Sequence, residues 1–483
     1  MTTAIHLSSV VRAFAGIRRL SITGASLLTL SACASFSPDG GMAPVATRVS
    51  AEIGKETVKI TSEADAAMVR ERVSALLAQP LTADAAVQIA LINNRGLQAK
   101  YNALGISEAA YVEASLPPNP TLSFLRLSGD GTLEIERGLA ADVLALFTLP
   151  ARSKIAERGF RVAQYRTIDA TFRMAVATRR AYYKAIAAQQ LAIFLERAQV
   201  SADAAADLMR RLGETGASSK LDQARIGSFY AEISTRLGRA RLAAKAQRET
   251  LTRMLGLWGA DTAYKLPEDL PQVPADIESI EDVEADAIRR RVDLIAARLE
   301  LDTTASSLGL TEATRFVSLL EAAGISKSER DNGELTRTSG FELAIQIPIF
   351  DFGEVSVRRG RETYMRSVNL MIEKAINVRS EVRAAYQTYH ASFDIWRQYQ
   401  NQILPLRTVI NEQALLQYNG MLIDAFELLT TARESIANNM AAIEARRNFF
   451  LAQVDFQAAL IGGGVAAEGG GVENMSAAGA DDE

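Results

Sequence analysis

One cysteine and two histidines are all that this chain of 483 residues offers to disulfides, thiol chemistry or imidazole ligands. An internal disulfide framework is impossible, a cysteine-built metal cage nearly so, and a histidine-dependent catalytic centre has almost nothing to draw on. Aromatics make up 6% of the residues, and the formal charge of −4 gives no bulk attraction to polyphosphate, which argues against a nucleic-acid partner. No apolar run approaches the roughly 18–20 residues of a spanning helix. The residues expected of a hydrolase, a phosphate loop or a soft-metal cluster do not assemble anywhere. The expectation is a protein that is not an enzyme and uses no cofactor.

The N-terminus carries a first positive signal. Residues 1–32 hold Arg12, Arg18 and Arg19 and no acid, then a short apolar stretch from Leu20 to Leu30, then Ser31-Ala32-Cys33. A basic segment, a short apolar core and small residues describe a secretory signal peptide over 1–32. The chain's single cysteine stands at the cleavage point, which resembles a bacterial lipobox and makes Cys33 the expected lipidation site. The same resemblance to lipoprotein signals implies, from Ala34 in place of aspartate, delivery to the outer membrane.

Proline is scarce where it matters. None of the 12 prolines falls within 151–266 or 349–404. Alanine-rich stretches of that length can run as very long helices. Apolar residues recur there at steps of three and four, as in Val162, Tyr165, Ile168, Phe172 and Val176, and again from Val357 through Val378, Val382 and Phe393 to Trp396. That spacing fits antiparallel helices packed in coiled-coil fashion. A helix from about 152 to 212 would be about 90 Å long. Features recur in the same order about 200 residues apart: Ala90–Leu97 with Ala287–Leu294, Arg180-Ala181-Tyr182 with Ala384-Ala385-Tyr386, and Leu221–Arg225 with Leu429–Arg433. The expected organisation is a tether over 33–80, repeats over 81–266 and 281–460, a linker over 267–280 marked by Pro267, Pro271 and Pro274, and a disordered tail over 461–483.

Each repeat also contains a segment of strand character. Thr121–Leu127 and Thr132–Glu136 flank a glycine-containing turn, with Ala140–Leu149 open between strand and helix. In the second repeat, Phe341–Ile349 alternates apolar with polar or small residues, Arg315–Leu320 is a plausible partner strand, and Ser328–Ser339 reads as a polar loop. Four strands leave two unpaired edges, which lipid does not tolerate. Two, three or four chains pooling their strands would give eight, twelve or sixteen; soluble hairpins capping a helical rod remain the other reading.

Leu81-Thr82 through Asn93-Asn94, Leu116-Pro117-Pro118-Asn119-Pro120, Ile349-Phe350-Asp351-Phe352-Gly353 and the Leu-x-x-Ala-Arg site of each half, taken as an ordered set along the chain, resemble the TolC-like outer membrane factors. The resemblance covers roughly residues 81–460. It implies a homotrimer with a shared twelve-stranded barrel and a helical periplasmic tunnel. The function implied is passive exit from a tripartite efflux or type I secretion system, with a periplasmic adaptor and an inner-membrane transporter as partners. Phe341, Leu343, Ile345, Ile347 and Ile349 would face outer membrane lipid, and Glu342 and Gln346 the lumen. Asp424 and Glu427 become candidates for a carboxylate constriction at the periplasmic end, although Thr430 stands where the family has a further aspartate. Gly213, Gly216 and Gly420 would form tight turns at the tip where the adaptor docks. The competing readings are a structural coiled-coil periplasmic lipoprotein without channel activity and the adaptor subunit itself.

Overall fold

A computed structural model describes residues 35–129, 132–216, 218–277, 282–331 and 333–464. Cys33 and residues 465–483 lie outside them, and with them the lipidation site and most of the expected tail. The elements, in order, are α1 (Ala43–Ile53), α2 (Glu63–Leu77), α3 (Ala83–Asn93), α4 (Arg95–Ser115), β1 (Thr121–Gly129), β2 (Thr132–Asp142), α5 (Val143–Glu214) and α6 (Lys220–Leu255). Then come α7 (Val283–Arg290), α8 (Val292–Ala313), β3 (Leu319–Asp331), β4 (Glu334–Gln346), α9 (Glu354–Gln398), a π-helical turn (Tyr399–Ile403), α10 (Leu404–Asn419) and α11 (Ala425–Ile461). The order of α3 to α6 recurs in α7 to α11.

The segment from Ala140 to Leu149 resolves into both candidates: β2 runs to Asp142, and α5 starts at once. Asp142 Oδ1 accepts the Ala145 N–H at 2.8 Å, satisfying one of the donors a helix start leaves free. Pro150 lies inside α5, within its third turn, rather than before it. In the second repeat, α9 and α10 are joined through the π turn just ahead of Pro405, an insertion of the kind that accommodates a disturbed i→i−4 ladder.

The chain divides into two compact units that do not coincide with its sequence halves. Among the described residues, unit 1 comprises 35–41, 103–163 and 297–370, and unit 2 comprises 42–102, 164–296 and 371–464. Unit 1 holds one antiparallel sheet of order β1-β2-β3-β4, so the two hairpins join through β2 and β3. Two boundaries differ from the sequence expectation. The second hairpin is longer: β3 runs on to Asp331 and β4 starts at Glu334, so most of Ser328–Ser339 is strand, while β3 starts only at Leu319 and leaves Arg315–Val317 ahead of it. Ile347 and Ile349 lie beyond β4. Pro348 has no N–H to continue the ladder, and its carbonyl accepts the Phe352 N–H at 2.7 Å in a tight turn. That turn needs Gly353, at φ +75, because a Cβ there would overlap the Arg315 carbonyl.

Unit 2 holds the main core: Leu81, Ile89 and Ile92 pack with Tyr182, Ile186, Leu251, Leu255, Phe449 and Phe450. Burial pushes the Tyr182 phenol up to about 12, and its hydroxyl donates to the Leu81 carbonyl at 2.9 Å. The described part of the expected linker, residues 267–277, is docked on unit 2. Leu270 is buried, the Pro267 carbonyl accepts from Gln189, and the Pro271 carbonyl accepts two bonds from Arg446. The expected tail is corrected at its start as well. Ile461 belongs to α11, and the Gly463 N–H donates to Asp169 Oδ1 at 3.0 Å so close to Phe172 that a side chain would collide.

Candidate functional site

The sheet separates its side chains by chemistry. Residues paired across antiparallel strands lie on the same face, so the register assigns every position. One face carries Leu122 and Phe124 of β1, Leu139 of β2, Leu320 and Ala322 of β3, and Phe341, Leu343 and Ile345 of β4. All the large side chains among these are exposed or half-exposed, with Phe341 at 88%. The opposite face carries Glu134, Glu136 and Asp142 of β2, Glu321, Glu329 and Asp331 of β3, and Glu334 and Glu342 of β4, with Gln346 at its end. Lys327 is the one base on that face among the described residues, paired with Glu134 at 2.8 Å and Glu329 at 3.6 Å. Leu125, Leu127, Leu319 and Ile325 are apolar exceptions there. Such a sheet can stand between hydrocarbon and water, but β1 and β4 each keep an unpaired edge. A 13-residue strand rises about 43 Å along its axis, enough to cross a bilayer at the tilt barrels adopt.

At the helix side of the sheet, Phe147, Phe316, Phe350 and Phe352 are exposed. Arg315 lies over the Phe316 ring at 4.8 Å and pairs with Glu354 at 3.3 Å. The sequence pattern did not single out this aromatic rim.

In unit 2, Asp424 is the N-cap of α11, its Oδ1 accepting the Glu427 N–H at 2.8 Å, and both carboxylates are exposed. The capping role is a structural one that the sequence reading did not assign. Asp424 and Glu427 stand one helical turn apart at an exposed helix start. Of the three glycines expected in tight turns, Gly216 alone takes a positive φ. Gly216, at φ +77, takes the left-handed conformation that favours glycine. Gly213 lies in the last turn of α5, where a Cβ would overlap the Gln223 amide. Gly420 has φ −81, and its neighbour Met421 takes the positive φ of 57 instead. The two Leu-x-x-Ala-Arg arginines are reciprocal: Arg225 lies over the Phe426 ring at 4.8 Å and Arg433 over Phe229 at 5.5 Å. The second copy sits three residues deeper in its helix, counted from the caps Ser219 and Asp424.

Asn93 and Asn94 fasten the C-terminus of α6. The Asn93 amide donates to the Leu255 and Gly256 carbonyls at 2.9 Å each, and Asn94 donates to Met254 at 3.0 Å. These groups serve carbonyls left without helical partners. The matching positions in the second repeat are Arg290 and Arg291, part of the run Arg289-Arg290-Arg291, which has no aromatic platform beside it and which the sequence alone presents as a solvated helix face. Arg289 and Arg290 fit that reading, whereas Arg291 is buried. Its side chain is 6% exposed and bonds Asp293 at 3.0 and 2.9 Å and Glu381 at 2.6 Å; Lys374 approaches Asp293 at 3.7 Å. Burial opposes ionisation of Asp293, but the Arg291 guanidinium outweighs it and holds the carboxyl below its usual range. Partners some 90 residues apart leave no signal in a single sequence.

No protein-family model matches the chain. The probable efflux pump outer membrane protein TtgC of Pseudomonas putida is 24% identical over 282 residues, 56% of this chain and 54% of that protein. The antibiotic efflux pump outer membrane protein ArpC of Pseudomonas putida matches to the same extent. This chain thus spans about half the length of the curated relatives it matches. A membrane protein from Pseudomonas aeruginosa superposes with a TM-score of 0.68 at 17% identity, covering 78% of this chain and 93% of that one. The Campylobacter jejuni CmeC outer membrane channel gives 0.68 at 16%, covering 85% and 89%. CusC gives 0.66 at 16%, covering 81% and 92%. With its repeated helices and four-stranded antiparallel sheet, the chain has the fold of the TolC-like outer membrane channels.

Proposed function

We propose that this chain is the outer membrane channel subunit of a tripartite efflux system. Three copies pool their strands into a twelve-stranded barrel and provide a passive exit path. The observation that carries this reading is the four-stranded sheet with two open edges, apolar on one face and acidic on the other. Free edges in hydrocarbon leave backbone groups unsatisfied, so the sheet must close on other copies. The apolar face then meets lipid, the acidic face lines the lumen, and the phenylalanine rim lies at the boundary on the helix side, where aromatic residues collect. The names of the curated relatives, antibiotic and toluene efflux among them, favour efflux over protein secretion.

On this reading Cys33 carries a lipid anchor. The turns holding Gly213, Gly216 and Gly420 meet a periplasmic adaptor that links the channel to an inner-membrane transporter. Asp424 and Glu427, repeated around a three-fold axis, form a constriction where like charges repel one another and attract cations. A structural lipoprotein without channel activity would have no use for the open sheet edges.

The test is the mass of the purified protein in detergent, together with its mobility on unheated gels. A particle of three chains that migrates as a trimer until boiled is expected. A monodisperse monomer would overturn the proposal.

A further inference from the structure

The face of the sheet that carries the apolar band changes character toward the hairpin turns. Arg126 of β1, Arg137 of β2, Arg330 of β3 and Arg337 of β4 all fall on it, one per strand. The register places Arg126, Ile135, Ser328 and Arg337 in one row, with Arg137 in the adjacent row on the helix side and Arg330 in the adjacent row on the turn side. The whole set spans about 13 Å along the strands, and about 15 Å across them at the spacing of neighbouring strands. Ser128, Ser326, Ser328 and Ser339 share the face in the same rows, and no acidic residue does among the described residues. All four arginines are exposed, and among the described residues none of their side chains makes an ion pair or hydrogen bond. Arg315 at the helix side of the same unit is the contrast, since its charge is committed to Glu354.

We propose that this arginine–serine lattice is a binding surface for a lipid whose headgroup is a phosphorylated sugar, in the leaflet on the side of the hairpin turns. The proposal rests on the membrane-channel reading. Cations on the outer face of a barrel are costly at mid-membrane, and the cost falls away at the interface, so these four belong at headgroup depth. Eight carboxylates lie on the opposite face, and the lipid-facing one is left with uncompensated positive charge. The guanidinium fork matches phosphate in bidentate geometry, which a general attraction to an anionic surface would not require. The four serine hydroxyls, set between the arginines, suit the oxygens of a sugar headgroup.

The test uses the full-length protein in phosphatidylcholine nanodiscs, titrated with bisphosphorylated lipid A, with its dephosphorylated form, and with phosphatidylglycerol. Bisphosphorylated lipid A is expected to bind at least tenfold more tightly than either of the others. Arg126→Gln, Arg137→Gln, Arg330→Gln and Arg337→Gln combined should remove at least tenfold of that affinity, since each near-surface arginine contributes about fivefold. The four Arg→Lys changes, which keep the charge and lose the fork and so leave the barrel's electrostatics intact, should still weaken binding severalfold. Glu134→Gln with Glu136→Gln on the opposite face should leave it unchanged. Equal affinity of the lysine variant, or equal retention of phosphatidylglycerol, would overturn the proposal. Conductance recorded on the same preparations separates the two levels. A protein that conducts but binds lipid A no better after purification than the glutamine variant does refutes the lipid surface alone; one that neither assembles nor conducts refutes the channel reading beneath it.

Discussion

Replacing Arg291 with methionine removes the most deeply buried cation of a charged cluster. The Arg291 and Asp293 side chains are 6% and 10% exposed, whereas Glu381, at 41%, is partly hydrated. With the guanidinium gone, Asp293 keeps Lys374 at 3.7 Å as its counter-charge and loses two hydrogen bonds of 2.9–3.0 Å. Removing one partner of a buried pair leaves a charge without hydration, and Arg291→Met should cost about 3–5 kcal/mol. Asp293→Asn leaves Arg291 bonded to Glu381 and should cost roughly half as much, while Glu381→Gln leaves the two-point Arg291–Asp293 contact and should cost about 1 kcal/mol. Arg291→Met combined with Asp293→Leu should recover much of the single loss, because an apolar pair leaves no stranded charge. Midpoints of guanidinium unfolding in detergent, followed by far-UV circular dichroism, measure the series. Because the folded-state pKa of Asp293 is depressed, its contribution is complete above the ordinary aspartate value near 3.9 and is lost as pH falls through the depressed value. The native protein's advantage over Asp293→Asn should therefore shrink only in acid below about pH 4. A Glu381→Gln loss equal to that of Arg291→Met would refute the assignment of the buried charge to Asp293.

Asp424→Asn keeps an N-cap and removes a charge, whereas Asp424→Ala also removes the cap and should cost about 1 kcal/mol more in stability. If Asp424 and Glu427 constrict the channel, Asp424→Asn and Glu427→Ala should both raise single-channel conductance in planar bilayers; unchanged conductance removes them from the constriction. Gly353→Ala meets both a positive φ and the Arg315 carbonyl, and should sharply lower the yield of heat-modifiable trimer, while Gly216→Ala, in open space, should cost about 1 kcal/mol. Asn93→Ala strands two carbonyls at the end of α6 and should lower thermal stability by about 1–3 kcal/mol, measured as a shift in the unfolding midpoint.

Legibility in the sequence followed the range of the interactions. The long helices α5, α6 and α9 were readable because proline is absent from most of their length and their apolar spacing is sustained. The first hairpin was readable from its turn and its leucines. β3 was not: Leu319–Asp331 is polar and rich in small residues, and it is strand because β2 and β4 flank it. The β2–β3 pairing that joins the hairpins links residues nearly 200 positions apart, and no local pattern encodes it. Tip glycines were recognisable as turn residues, but which residue takes the positive φ depended on how each helix ended, and at the second turn it is Met421. Arg291 was misread because an isolated arginine run looks the same whether Glu381 waits across the helix pair or water does. The four arginines of the sheet became a set only when the register put them on one face.

The most direct measurement is the reversal potential of single channels in a potassium chloride gradient. A barrel of shared strands whose described residues line it with eight carboxylates and one lysine per chain should pass potassium in preference to chloride. Absence of conductance, or preference for chloride, would contradict the account.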